Sequence, residues 1–327
     1  MSREAVLNAL RDAQRITAIC HESPDADTLG AAIALRLAAE RMGKQAEVVA
    51  ADPVPPALAF LPLVDEVRTQ PALEPDVAVV VDGPLDRTGA IARDCGEWLA
   101  RARVVNIDHH VSNDGKGVAA AFVDADAAAT CEMIALLLPE LGVALDLQLA
   151  TALIAGVVQD THTFAHPNAT PRTLRVAADL VEAGAPLSLI HRAIYADKPF
   201  STLALWGRIL GGVEQAREGR IVHASMTLAM LGDVGVEPSA ADGLIDLLAS
   251  TKSADVTLLF KEIDAAEVRV SVRTSARADA VAITQAFGGG GHARAAGCTV
   301  RQPLAEARRV VLEECERELD RADARGG

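Results

Sequence analysis

The stretch ITAICHESPDADTLGAAIALRLAAERM, residues 16–42, changes character twice. Residues 16–20 are β-branched and apolar, as in a buried strand, whereas residues 29–42 repeat their apolar side chains with a helical period. Between them His21, Asp25 and Asp27 fall within seven positions. A buried strand that ends in a polar cluster and runs on into a helix is the first half of a βαβ unit, and open α/β sheets place their chemistry at such strand ends.

The same rhythm continues. Residues 46–50, 76–82, 103–108 and 120–124 are short apolar runs that predict further strands, and residues 130–138 and 147–158 predict two helices. The reading is an α/β fold whose N-terminal domain, residues 1–186, holds a mostly parallel sheet covered by helices on both faces. Residues 187–216 look wholly helical and are expected to form a linker. Strand-like runs return at 220–226, 255–263 and 267–274, the last two joined by the acidic turn 263–267 as a hairpin. Residues 217–327 therefore form a smaller mixed α/β domain.

Composition agrees with two domains, since 327 residues at 50% hydrophobic content exceed what one core usually absorbs. A net charge of −14 disfavours a grip on long nucleic acid, which draws on clustered Lys and Arg, and 3% aromatic content leaves few side chains for stacking along a single strand. Small anionic substrates remain open. The five cysteines are scattered without a CxxC pair, which reads as reduced thiols. Residues 1–14 read as a charged amphipathic helix rather than a signal peptide, and no apolar stretch nears the roughly 18 residues of a membrane span. The expectation is a cytoplasmic protein without membrane contact, with a homodimer as one option for its assembly.

Carboxylates and histidines recur at element ends. Asp82 ends the run 76–82, Asp108, His109 and His110 end the run at 103–108, and Asp160 closes the second predicted helix. One aspartate after an apolar strand usually serves as a cap or turn former. Several that converge repel one another and cost several kcal/mol unless cations compensate them. Oxygen and imidazole donors without thiolate suit Mn²⁺ ahead of Mg²⁺ or Co²⁺. Two such ions about 3.5–4 Å apart would activate water for displacement at phosphorus, which is phosphoester hydrolysis.

The second informative stretch is FGGGGHARAAG, residues 287–297. Gly288, Gly289, Gly290 and Gly291 permit positive φ and close backbone approach, so their amides are expected to form an anion nest, with His292 and Arg294 adding charge. Arg269 and Arg273 share one face of the strand at 267–274 by period two.

These residues resemble the DHH phosphoesterase superfamily. HESPDADTLGAA is similar to its HxxPDxDxxGS opening, NIDHHVSN to its naming motif, DADAAATCEMI to its DPxASSTCE stretch and GVVQDTHTF to its GxxxDTxxF segment, while GGGGHARAAG is similar to the signature of the DHH-associated C-terminal domain. The resemblance covers nearly the whole chain in order. By length and domain pairing it extends to the branch of bacterial oligoribonucleases that also dephosphorylate 3′-phosphoadenosine 5′-phosphate.

It implies that His21 and Asp25 hold one Mn²⁺, that Asp27, His109 and Asp160 hold the other, and that Asp82 bridges them. It implies further that His110 faces the scissile phosphate, that Asp108 orients imidazole, and that Arg87 and Asn113 lie near the phosphate. Arg273 and Thr274 correspond to a substrate-binding stretch of the second domain, which with the glycines, His292 and Arg294 would hold the far end of a short nucleotide. The departures are Ala26, Ala31 and His162, the last standing where the family usually has glycine. A phosphodiesterase for cyclic or linear dinucleotides is the alternative enzyme, and a nucleotide sensor without turnover the alternative of another class.

Overall fold

The computed structural model describes residues 2–325. The chain divides into two compact units, residues 1–197 and 198–327.

In the first unit the elements are α1 (Arg3–Asp12), β1 (Arg15–Ile19), α2 (Ala26–Arg41), β2 (Gln45–Val49), β3 (Val77–Val81), α3 (Ala90–Asp94), α4 (Gly96–Leu99), β4 (Arg103–Asp108), β5 (Ala120–Val123), α5 (Thr130–Leu137), α6 (Leu147–Asp160), α7 (Pro171–Glu182) and α8 (Leu187–His191). The five strands pair in the order β2-β1-β3-β4-β5, all parallel. Period two sorts their side chains: Val77, Val79 and Val81 of β3 join the core under α1, α2, α5 and α6, while Ala78 and Val80 join Ile91, Trp98 and Leu99 of α3 and α4 on the opposite face. Strand order reverses beside β1, so the carboxyl ends of β1 and β3 flank the crevice where such sheets take ligands.

Thirteen of the sixteen residues of α2 are buried, which makes it a central helix rather than a surface one. Leu29, Ile33 and Leu37 are fully buried and each contributes about 1.5–3 kcal/mol. That is enough to anchor a helix whose first turn carries the repelling carboxylates. The helix starts three residues before the expected position, because Asp25 accepts the amides of Asp27 and Thr28 on its side chain and so caps it.

The second unit contains α9 (Phe200–Gly211), β6 (Glu214–Ala216), β7 (Ile221–Met226), α10 (Leu228–Val234), α11 (Leu244–Ala249), β8 (Val256–Asp264), β9 (Glu267–Thr274), α12 (Ala280–Thr284), β10 (Gly290–His292), β11 (Ala295–Val300) and α13 (Leu304–Arg325). Its mixed sheet has the order β10-β11-β9-β8-β7-β6. Leu258, Phe260, Val270 and Val272 pack with α12 and α13 on one face, and Ala224, Met226 and Leu259 with α9, α10 and α11 on the other.

The stretch expected to be one helical linker differs. A π-helical turn, Arg192–Ala196, follows α8, the chain breaks at Asp197–Pro199, and α9 opens the second unit. Pro199 lacks an amide hydrogen and disfavours helix at Lys198, which gives the break its cause. The last residues of the stretch, Glu214–Ala216, are strand β6, antiparallel to β7.

Candidate metal centre

The candidate ligands come from the ends of several elements. The turn after β1 supplies His21 and Asp25, the first turn of α2 supplies Asp27, Asp82 follows β3, His109 and His110 follow β4, and Asp160 is the last residue of α6. The Nε2 atom of His21 lies 3.3 Å from Asp82 and 3.7 Å from Asp25. The Nε2 atom of His109 lies 3.1 Å from Asp160, 3.4 Å from Asp82 and 4.0 Å from Asp27. Donor atoms of His21, Asp25 and Asp82 all fall within 4.8 Å of one another, and so do those of Asp27, Asp82, His109 and Asp160. Asp82 is common to both groups.

Local structure explains how the chain holds four carboxylates together. Asp27 is fully buried and accepts the amides of Thr130 (2.6 Å) and Cys131 (2.9 Å), the otherwise unsatisfied first N–H groups of α5. Thr130 also donates its hydroxyl to Asp82 at 3.2 Å. Asp82 adopts a left-handed backbone, φ 59°, which turns the chain sharply at the end of β3. Gly156 of α6 lies so near that a Cβ there would be 2.3 Å from Asp27 Oδ1, and one on Gly30 would be 2.3 Å from the Ala152 carbonyl, so these two glycines set the approach of α2 to α6.

Charge divides unevenly across the cluster. Burial works against the charge of His21, yet Asp25 and Asp82 raise its pKa to about 10. Burial likewise opposes His109, but Asp160 and Asp82 prevail and carry it to about 12. Burial would raise Asp82, but the neighbouring imidazoles of His109 and His21 hold it below the usual carboxylate range. Asp27 is pushed well up by burial and by the charges of Asp82 and Asp160, and burial raises Asp160 to about 6. The protons on the imidazoles thus compensate carboxylate charge, and any cation entering the cluster must displace them.

The donor set fits divalent cations. Nδ1 of His21 donates to the Glu22 carbonyl at 2.7 Å and Nδ1 of His109 faces the Ala127 carbonyl at 3.3 Å, which turns both Nε2 atoms inward toward carboxylates as ligating histidines are commonly held. His109 Nε2 is buried with no hydrogen-bond partner among the described residues.

His110 stands beside this group. Its Nδ1 pairs with Asp108 at 2.7 Å, and its pKa is raised, Asp108 being the main cause. Asp108 is held in turn by Asn113 at 2.6 Å, and Asn113 by Asn106 at 2.8 Å. Arg87 is exposed, and its carbonyl accepts the Glu22 amide at 2.7 Å, which places it by the β1 turn. Sequence reasoning assigned no role to Asn106 or Thr130. Asn106 sits in NIDHH and Thr130 in ATCE, so polar residues inside otherwise apolar or alanine-rich runs were the available signal.

In the second unit the glycine-rich stretch forms the hairpin β10–β11. The amides of Gly288 and Gly289 already donate to the Gln285 and Thr284 carbonyls, and a Cβ on Gly289 or Gly291 would collide with the opposite strand. Close strand packing, rather than the expected nest, accounts for the glycines at 289 and 291. Gly290 pairs with Gly297. Arg294 donates to the Ser275 and Ala278 carbonyls, Arg273 to Asp246 at 2.8 Å, and Thr274 to the Ala293 carbonyl at 2.8 Å, while His292 is exposed.

A parallel sheet with aspartates and imidazoles gathered at its switch point, followed by a mixed-sheet unit with a glycine-rich hairpin, is the arrangement of a known class. Residues 15–157 match the DHH family, N-terminal domain, and residues 219–320 the DHHA1 domain; the chain belongs to the DHH family of phosphoesterases. It is 34% identical over 304 residues to the bifunctional oligoribonuclease and PAP phosphatase NrnA of Thermus thermophilus, covering 92% of this chain and 89% of that one. To the protein of the same name from Bacillus subtilis it is 27% identical over 285 residues, covering 86% and 87%. Among solved structures, an exopolyphosphatase-related protein from Bacteroides fragilis has a TM-score of 0.89 at 20% identity, covering 98% of this chain and 97% of that one, a likeness of fold. Among the described residues no helix is long and apolar enough to cross a membrane.

Proposed function

We propose that the chain is a metal-dependent phosphoesterase that hydrolyses short oligoribonucleotides to mononucleotides and removes the 3′-phosphate of 3′-phosphoadenosine 5′-phosphate. The observation that carries this reading is the position of Asp82 between two sets of donor atoms that need cations. The relatives named for both activities, similar over most of their length, support the choice of substrate.

His21, Asp25 and Asp82 would hold one divalent ion and Asp27, Asp82, His109 and Asp160 a second, with Mn²⁺ favoured by the donors. Such a pair supplies Lewis acidity at the phosphoryl oxygens and lowers the pKa of nearby water. The chain's own residues do the rest. Asp108 pairs with Nδ1 of His110 and shifts its pKa upward, which favours this imidazole as a hydrogen-bond donor to a phosphate whose negative charge grows in the transition state. Asn113 fixes Asp108 and thereby the ring. Arg87, exposed by the β1 turn, adds positive charge for the anion. In the second unit Arg273, Thr274, His292 and Arg294 are assigned to nucleotide binding, and Gly289 and Gly291 to the close strand packing of the hairpin that carries His292.

The test is a titration of the metal-stripped chain with Mn²⁺ in the presence of a two-nucleotide RNA, and separately of 3′-phosphoadenosine 5′-phosphate. Mononucleotide or phosphate release that appears with metal and stops with chelator is the expected result. Tight binding of either compound without product favours a sensor.

A further inference from the structure

The residues that follow Asp160 form a cluster that the metal centre does not use. His162, Thr163 and Phe164 all have left-handed backbones, with φ 48°, 55° and 65°, in a turn that contains no glycine. Three consecutive side chains in that region are strained, and such strain gathers where a fold needs a particular side chain in a particular place. The turn directs Phe164 to the core and leaves His162 exposed.

His162 stacks on His166, with ring centroids 5.2 Å apart and planes at 18°, and packs against Tyr195 at 4.4 Å. Tyr195, the single tyrosine of the chain, is fixed by its hydroxyl donating to the Gln159 carbonyl at 2.7 Å. His191 packs on the same ring at 5.8 Å and pairs with the Thr163 hydroxyl at 2.8 Å. His166 Nδ1 lies 3.4 Å from the Asp160 main-chain oxygen. A protein with 3% aromatic residues therefore assembles flat rings from α8, its π-helical extension and the turn after α6, with His166 against the main chain of Asp160. Both rings of the His162–His166 stack are exposed, so it can take a further flat ring.

We propose that the His162–His166 pair, braced by Tyr195, is a stacking shelf for the nucleobase of a nucleotide whose phosphate reaches the cations that Asp82 and Asp160 would hold, and so determines preference for nucleotides over base-free phosphates. A stacking platform of this kind accepts any base, because every base has a π-face. The shelf rests on the phosphoesterase reading above.

The test compares the intact wild-type chain with His162→Gly and His162→Phe on 3′-phosphoadenosine 5′-phosphate and on ribose 3,5-bisphosphate, which carries the same phosphates without a base. Glycine tolerates the positive φ, so the turn survives its introduction. The expected result is a KM for the nucleotide raised about tenfold in His162→Gly, the effect of losing one stacking contact, with kcat nearly unchanged, the base-free compound unaffected, and His162→Phe restoring the wild-type KM. Equal nucleotide KM in wild type and His162→Gly, or an equal loss on the base-free compound, overturns the shelf. If the wild type turns over neither compound, the phosphoesterase reading fails instead, and calorimetric binding of the two compounds to the same three proteins decides the shelf by the same criterion.

Discussion

In the first unit four aspartates, two of them buried, crowd around two imidazoles; in the second, many charged groups lie against an opposite charge. Arg220 joins Asp255 at 2.7 Å and Asp323 at 2.7 Å, Lys261 joins Asp242 at 2.7 Å, and Arg308 joins Glu214 at 2.9 Å. A matched pair on a surface is worth little and asks for nothing more. A surplus of one sign inside a fold persists only if something of the other sign visits it. The contrast separates a region built to take up cations from one whose charges mainly tie strands and helices together.

The contrast breaks most sharply at Asp82. Replacing it with Asn keeps the shape and tolerates the left-handed backbone, but removes the charge common to both donor groups. Turnover should fall about a thousandfold, roughly 4 kcal/mol of barrier, in steady-state assays with saturating Mn²⁺. Wild-type turnover would place the reaction elsewhere. A smaller effect belongs to Asn113→Ala, which leaves Asp108 with a donor missing and His110 less firmly held. It should cost about tenfold to a hundredfold in kcat while leaving Mn²⁺ affinity, measured by calorimetry, unchanged. The smallest sharpens the other side: Arg220→Ala should lower unfolding stability by at most about 1 kcal/mol in denaturant titrations and leave metal affinity untouched.

What could be read in advance follows the same division. The ends of β1, β3 and β4 were legible because an apolar run that stops on Asp or His announces both a strand and its exposed end. The start of α2 was placed late because Asp25, read as a ligand, also caps the helix. The amides of Thr130 and Cys131 that hold Asp27 leave no trace in residue type, since every non-proline residue has one. The glycines at 288–291 pointed to close backbone approach, but whether to an anion or to a neighbouring strand depends on pairing that sequence does not record. The break before α9 carried a signal in Lys198–Pro199 that the apolar period on either side obscured.

Gly156 and Asp160 are four residues apart on α6, so they sit just over one helical turn, about 6 Å of rise, from each other. Because Asp27 rests directly on Gly156, the rigid pitch of a helix acts as the gauge between two carboxylates that come from distant parts of the chain. The spacing of the pair is thereby set by the most invariant length in protein architecture, and loops are left to vary without disturbing it.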